Sequence, residues 1–215
     1  MMIPPSPTLL IAAANSYIGW DEAAEENRFA RRSAFVECLL REVHAELEGG
    51  TPVPWHTAFV HHVGYWSHYD HFYGASSWPL PATASAAELG AFAAERGVLA
   101  KEPREGDLFL LWAPVKQEFV RTGIVLRLGD FGVTFRGTPY QEFVTIEANT
   151  NESRDTDGGV TLKQLRRLSP EMGDRFVRWS DLDVRAERMA GFIRRGAEGG
   201  ETGGERAEMN ARSVA

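Results

Sequence analysis

Apolar residues recur at helical spacing through the first half of the chain and give way to short β-rich runs in the second. Leu9, Leu10, Ala13 and Tyr17 share one helical face, with Gly19 placed to stop the turn. Phe35, Val36, Leu39, Leu40, Val43 and Leu47 repeat at i, i+3 and i+4, which predicts an amphipathic helix ending at Gly49-Gly50. Cys38 falls well round from that apolar stripe. Pro52 and Pro54 break the chain, and Trp55, Phe59, Val63 and Trp66 then mark a third helix. Ser85 with Glu88 three residues on makes a capping box and predicts a fourth helix running to about Gly97. Beyond Pro103, residues 108–112, 120–128, 133–135, 143–146 and 176–179 read as strands. Helices followed by a run of antiparallel-looking strands give an α+β class.

Residues 180–195 fit a further helix. From Gly196 onward, glycines and scattered charges with few apolar residues have the composition of a disordered tail. The expected organisation is an extension over 1–7, one domain over 8–179, a helix over 180–195 and a tail over 196–215.

Composition narrows the partners. The chain has 215 residues, 25% of them charged, with a formal net charge of −7. That sign opposes a phosphate backbone, so no nucleic-acid partner is expected. No run approaches the ~20 apolar residues of a membrane helix, and no membrane partner is expected. The stretch 9–14 is too short for a signal-peptide core and no Lys or Arg precedes it, which predicts cytoplasmic synthesis without a secretion signal. Action elsewhere then needs separate delivery.

Cys38 is the single cysteine, which excludes an intramolecular disulfide and a thiolate zinc cage. Five of the six histidines fall within residues 56–71. Among them His56, His68 and His71 are the metal-ligand candidates, yet no H-x-x-x-H spacing appears on the third helix. Histidines set among aromatic residues are the simpler reading, and neither metal nor cofactor is expected. Residues 151–159 resemble a calcium loop but lack its twelfth-position glutamate, where Leu162 stands. Trp55, Trp112 and Tyr69 are the aromatic residues placed to stack against a ligand.

Four segments, in order, resemble the CHAP branch of the NlpC/P60-type papain-like hydrolases. Pro54-Trp55-His56-Thr57-Ala58-Phe59-Val60 resembles that family's P-W-C-A-A-F-V helix start. Pro103-Arg104-Glu105-Gly106-Asp107-Leu108-Phe109 resembles its P-x-x-G-D turn before the first long strand. Arg121-Thr122-Gly123-Ile124-Val125 resembles H-x-G-I-V, and Glu147-Ala148-Asn149-Thr150-Asn151 resembles E-G-N-T-N. Each motif alone occurs by chance; four in order at family-like spacing over residues 8–179 are specific.

The resemblance implies N-terminal helices packed on an antiparallel sheet, and hydrolysis of amide bonds in peptidoglycan peptides. In such enzymes a helix-terminal cysteine thiolate attacks, a strand histidine takes the proton, and a polar residue on the next strand orients the imidazole. Here the nucleophile position holds His56 and the base position holds Arg121, a guanidinium that keeps its proton at any working pH. Glu147 and Asn149 remain at the orienting positions. Cys38 lies on another helix. The reading is therefore a degenerate, non-catalytic domain retained for binding a peptidoglycan peptide or a protein partner, or for a structural role, in a phage, contractile-injection or effector system. Two alternatives stand beside it: an active amidase or endopeptidase using His56, Arg121 and Glu147, and a histidine-rich metal-binding protein.

Overall fold

Ser6 opens the first helix, α1 (Pro7–Asn15): its hydroxyl accepts the Leu9 amide at 3.4 Å, and Pro7 fills the first turn, where a missing N–H costs nothing. The computed structural model describes residues 6–18, 34–44, 54–70, 75–133, 137, 139–150, 160–168 and 170–182. The chain divides into two compact units, 1–181 and 182–215, and only Leu182 of the second is described. The expected tail, most of the expected helix at 180–195, the loop 151–159 and His71 lie outside the described residues. Among those that are described, no helix is long and apolar enough to cross a membrane.

Helix α2 (Ala34–Glu42) buries Val36, Leu39 and Leu40 along one stripe and leaves Cys38 exposed, as its periodicity requires. Helix α3 (His56–Ser67) is buried over its first five residues and again at Val63 and Gly64. A Cβ on Gly64 would overlap the Trp78 ring, so only glycine lets the indole pack against the helix backbone. Gly64→Ala is expected to lower stability by about 2 kcal/mol through overpacking, read as a shifted denaturant midpoint at unchanged slope.

Helix α4 (Ala86–Glu95) begins as the sequence predicts, with the Ser85 hydroxyl taking the Glu88 amide at 3.2 Å. The return arm of the capping box is relayed. Thr83 donates its hydroxyl to the Glu88 carboxylate at 2.5 Å, and its oxygen accepts the Ser85 N–H at 2.9 Å.

The remaining elements confirm an α+β class. Six strands form one antiparallel sheet in the order β3-β8-β4-β5-β6-β7. They are β3 (Leu99–Ala100), β4 (Leu108–Ala113), β5 (Glu118–Val133), β6 (Pro139–Thr150), β7 (Val160–Leu168) and β8 (Arg175–Val177). A separate two-stranded pair joins β1 (Tyr69–Asp70) to β2 (Ala75–Ser76). Two expectations need correction. Val133 ends β5 instead of opening a new strand, and Trp179 lies in a 3₁₀ turn beyond β8, its indole donating to the Gly106 carbonyl at 2.7 Å. Strands β1, β2, β3 and β7 carry no sequence expectation above.

Residues paired across antiparallel strands share a face. One face carries the buried cluster Phe109, Val125, Phe143, Leu168 and Phe176; the other buries Leu108, Leu110, Ile124, Ile146 and Val177. Helix α3 lies against β5 and β6, and this places the first residue of α3 beside the strands that carry Arg121 and Glu147.

Candidate functional site

His56 is the first residue of α3 and is buried. Its ring hydrogen-bonds the Val120 backbone on β5, and its Nδ1 lies 3.0 Å from the Thr57 hydroxyl oxygen. Burial, followed by the nearby Arg121 charge, pushes the imidazole down to about 4; the Glu147 charge and the Val120 bond oppose them. At neutral pH the ring is uncharged, with one nitrogen donating and the other accepting.

Arg121, 1% exposed, stands on β5 next to Val120. Its Nε donates to Glu147 Oε2 at 2.9 Å, and its Nη2 donates to the Asn149 carbonyl at 3.2 Å. Asn149 takes a φ of 52°, a left-handed conformation that asparagine tolerates better than most residues. Its carbonyl, not a ring-orienting side chain, is what reaches Arg121. Gly123 lies on the same face, where a Cβ would crowd Phe109, the Glu147 side chain and the Ile146 carbonyl. A side chain there would push the Glu147 carboxylate away from Arg121.

The completing residue is Arg166, on β7. Its Nε donates to Glu147 Oε1 at 2.5 Å, its Nη2 donates to Glu147 Oε2, and its guanidinium lies 5.9 Å over the Phe109 ring. Thr145 adds a hydroxyl donor to Oε1 at 2.6 Å. One fully buried carboxylate is thus held between two guanidinium groups. Burial alone would raise the Glu147 pKa, but the hydrogen bonds and charge of Arg166, the Arg121 charge and the Thr145 hydroxyl outweigh it and hold the group below the ordinary glutamate value.

The structure therefore brings together the His56, Arg121, Glu147 and Asn149 positions that the motifs single out. The aromatic candidates do not converge with them. Trp55 is buried, packed edge-to-face against Phe35 and Phe59, so its faces are occupied by core rings. Trp112 packs on Phe119, across from it on β5. Tyr69 sits on β1 against Tyr65 and Trp66, the latter 46% exposed.

His68 and His62 are absorbed by hydrogen bonds. His68 is buried: its Nε2 accepts the Ser6 amide at 3.0 Å, its Nδ1 faces the Gly64 carbonyl at 3.0 Å, and its ring packs on Trp179. His62 Nδ1 lies 2.7 Å from Glu42 Oε2 and its Nε2 lies 3.0 Å from the Tyr17 hydroxyl, while Trp66 donates to the other Glu42 oxygen at 3.0 Å. That network ties α2 and α3 to the Tyr17 turn after α1. Among the described residues, no group of three or more His, Cys, Asp or Glu side chains is arranged to hold a metal ion.

Asp107, in the turn before β4, is a further site that the motif contains and chemistry alone would overlook. Its carboxylate accepts the Arg104 amide at 2.9 Å and lies 3.7 Å from Arg178. Burial raises it to about 6 despite these partners. Comparison of the chain with protein-family models, curated proteins and solved structures gives no match.

Proposed function

We propose that residues 8–179 form a papain-like domain of the CHAP type that has lost cysteine-type hydrolysis and is retained for binding a peptidoglycan peptide or a protein partner, or for a structural role. One observation carries this reading. At the position the motifs give to the general base stands a guanidinium bonded to Glu147, and at the nucleophile position stands a buried, uncharged imidazole. Thiolate attack needs a sulfur with a proton acceptor beside it; His56 supplies no sulfur, and Arg121 cannot take a proton. Cys38 does not substitute, because it is exposed on α2 beside Glu42. Burial and the Glu42 charge raise its pKa, which disfavours the reactive thiolate.

A phage particle, a contractile injection apparatus or an effector system is the setting this reading suits, by analogy of fold alone. Purified peptidoglycan incubated with the full chain is expected to release no soluble peptide. The double change His56→Cys with Arg121→His is expected to restore measurable cleavage if the inherited geometry is a hydrolase's. Turnover by the unaltered chain that His56→Ala abolishes would overturn the proposal in favour of an imidazole-based hydrolase.

A further inference from the structure

Strand β7 is the last strand of the six-stranded sheet, and one of its faces is basic on a chain that is acidic overall. Lys163, Leu165 and Arg167 alternate along it and so share a face, the one opposite Arg166 and the Glu147 network. All three are exposed. Register places Leu165 beside Val144 and Arg127 across β6 and β5, and places Arg167 beside Glu142. Arg167 Nε donates to Glu142 at 2.7 Å, which leaves Lys163 and Arg127 with no carboxylate at their registered positions. Among the described residues on this face, an apolar centre, Leu165 and Val144, is flanked by Lys163, Arg127 and Arg167 and by the paired Glu142 carboxylate.

The backbone of β7 adds the second half of the argument. The Gln164 carbonyl lies 3.3 Å from the hydroxyl oxygen of Thr145, its registered partner on β6, so it faces inward. By alternation, the main-chain groups of Lys163, Leu165 and Arg167 face the outer edge of the sheet. A strand edge of this kind accepts an added strand through main-chain hydrogen bonds, with side chains at alternate positions setting the choice of partner.

The geometry points to β7 as a docking edge for an extended acidic protein segment, one carrying carboxylates on either side of an apolar residue in the alternation Glu-x-Val-x-Glu. Added antiparallel, such a strand sets its carboxylates opposite Lys163 and Arg167 and its apolar residue opposite Leu165. A second copy of this chain fits poorly, because antiparallel pairing of β7 about Leu165 opposes Lys163 to Arg167 twice over, cation against cation. A nucleic acid fits poorly as well. Three cations on a chain of net charge −7 release few counterions and meet long-range repulsion. The inference does not depend on the reading of the His56 site.

The test titrates the full chain into a fluorescein-labelled, Thr-flanked peptide containing Glu-Thr-Val-Thr-Glu, read by anisotropy. A peptide with Lys in place of both Glu, and an acidic peptide methylated on alternate main-chain nitrogens, are run in parallel. The acidic peptide is expected to bind at least tenfold tighter than either. Lys163→Glu with Arg167→Gln is expected to weaken it about tenfold and to strengthen the basic peptide, with the thermal midpoint confirming that the variant folds. Protection of β7 amides from hydrogen exchange on adding the acidic peptide is the direct signature. Equal binding of acidic and basic peptides, or equal binding of the methylated one, overturns the proposal. So does capture of duplex DNA or anionic vesicles in preference to the peptide, or self-association that the variant abolishes.

Discussion

Glu147→Ala is expected to cost about 3–5 kcal/mol of folding stability and to lower the thermal midpoint by about 10 °C. The substitution deletes a carboxylate that accepts from Arg121, Arg166 and Thr145, and it strands two guanidinium groups against each other in the sheet. Arg121 is buried and fixed on a central strand, so it has no short route to water. Arg166, on the last strand, can swing outward and recover part of its hydration. Arg166→Met is therefore expected to be the milder single change, because it leaves one Arg–Glu pair intact.

The triple replacement Arg121→Met, Glu147→Leu, Arg166→Met supplies the contrast. It removes these three charges together, and apolar replacements of buried ion clusters run from neutral to stabilising. Denaturant unfolding of the four proteins decides the matter. A triple variant as unstable as Glu147→Ala would mean the cost came from shape, not from stranded charge.

That cluster also marks where sequence reasoning stopped. Apolar spacing located α1, α2 and α3, and the Ser85 cap located α4; the spacing is clearest in α2, which buries Val36, Leu39 and Leu40 and exposes Cys38. Strand β4 was visible as a short apolar run and β5 and β6 as runs with β-branched residues, and the motifs placed His56, Arg121, Glu147 and Asn149 on neighbouring elements. Arg166 was not visible, for a local reason. Leu162, Leu165 and Leu168 recur at a spacing of three, a helical signal that masks the strand alternation beneath it. The strand is specified by its pairing with β6, a contact some twenty residues distant in sequence. Without β7, Arg121 and Glu147 make a simple ion pair; with it the carboxylate is shared.

Trp55 fails in the opposite direction. A tryptophan beside a motif reads as a ligand wall, but its place just before α3 turns it into the core against Phe35 and Phe59. Strands β1 and β3 were invisible because two residues are too few to carry a period.

Acidification is expected to separate two buried groups that mask each other in the unaltered protein. His56 is pushed down to about 4 in the folded chain, while its unfolded value lies near the ordinary ~6.5. Between those values the unfolded chain binds more protons, so stability rises with pH across the window. The contribution is complete above about 6.5 and is lost as pH falls toward about 4. Taken to pH ~4.5, the loss is about 3 kcal/mol.

Asp107 has the reverse sign. Its folded value of about 6 lies above the ordinary ~3.8, so the folded chain binds more protons between them, and its contribution grows as pH falls. Over the same interval the gain is about 2 kcal/mol. Over that interval the two contributions nearly cancel, so the acid loss of the unaltered protein comes chiefly from other groups that burial holds down in the folded chain, among them His61 and His68. Each single variant should uncover the other group. Asp107→Asn, which keeps an acceptor for the Arg104 amide, should become more acid-sensitive than the unaltered protein; His56→Leu should become less so. Urea midpoints at a series of pH values give both slopes. Because each variant is compared with itself across pH, any fixed cost of the substitution cancels. An Asp107→Asn slope no steeper than that of the unaltered protein, or a His56→Leu slope no shallower, would show that the group removed does not sit in the low-polarity setting its burial describes.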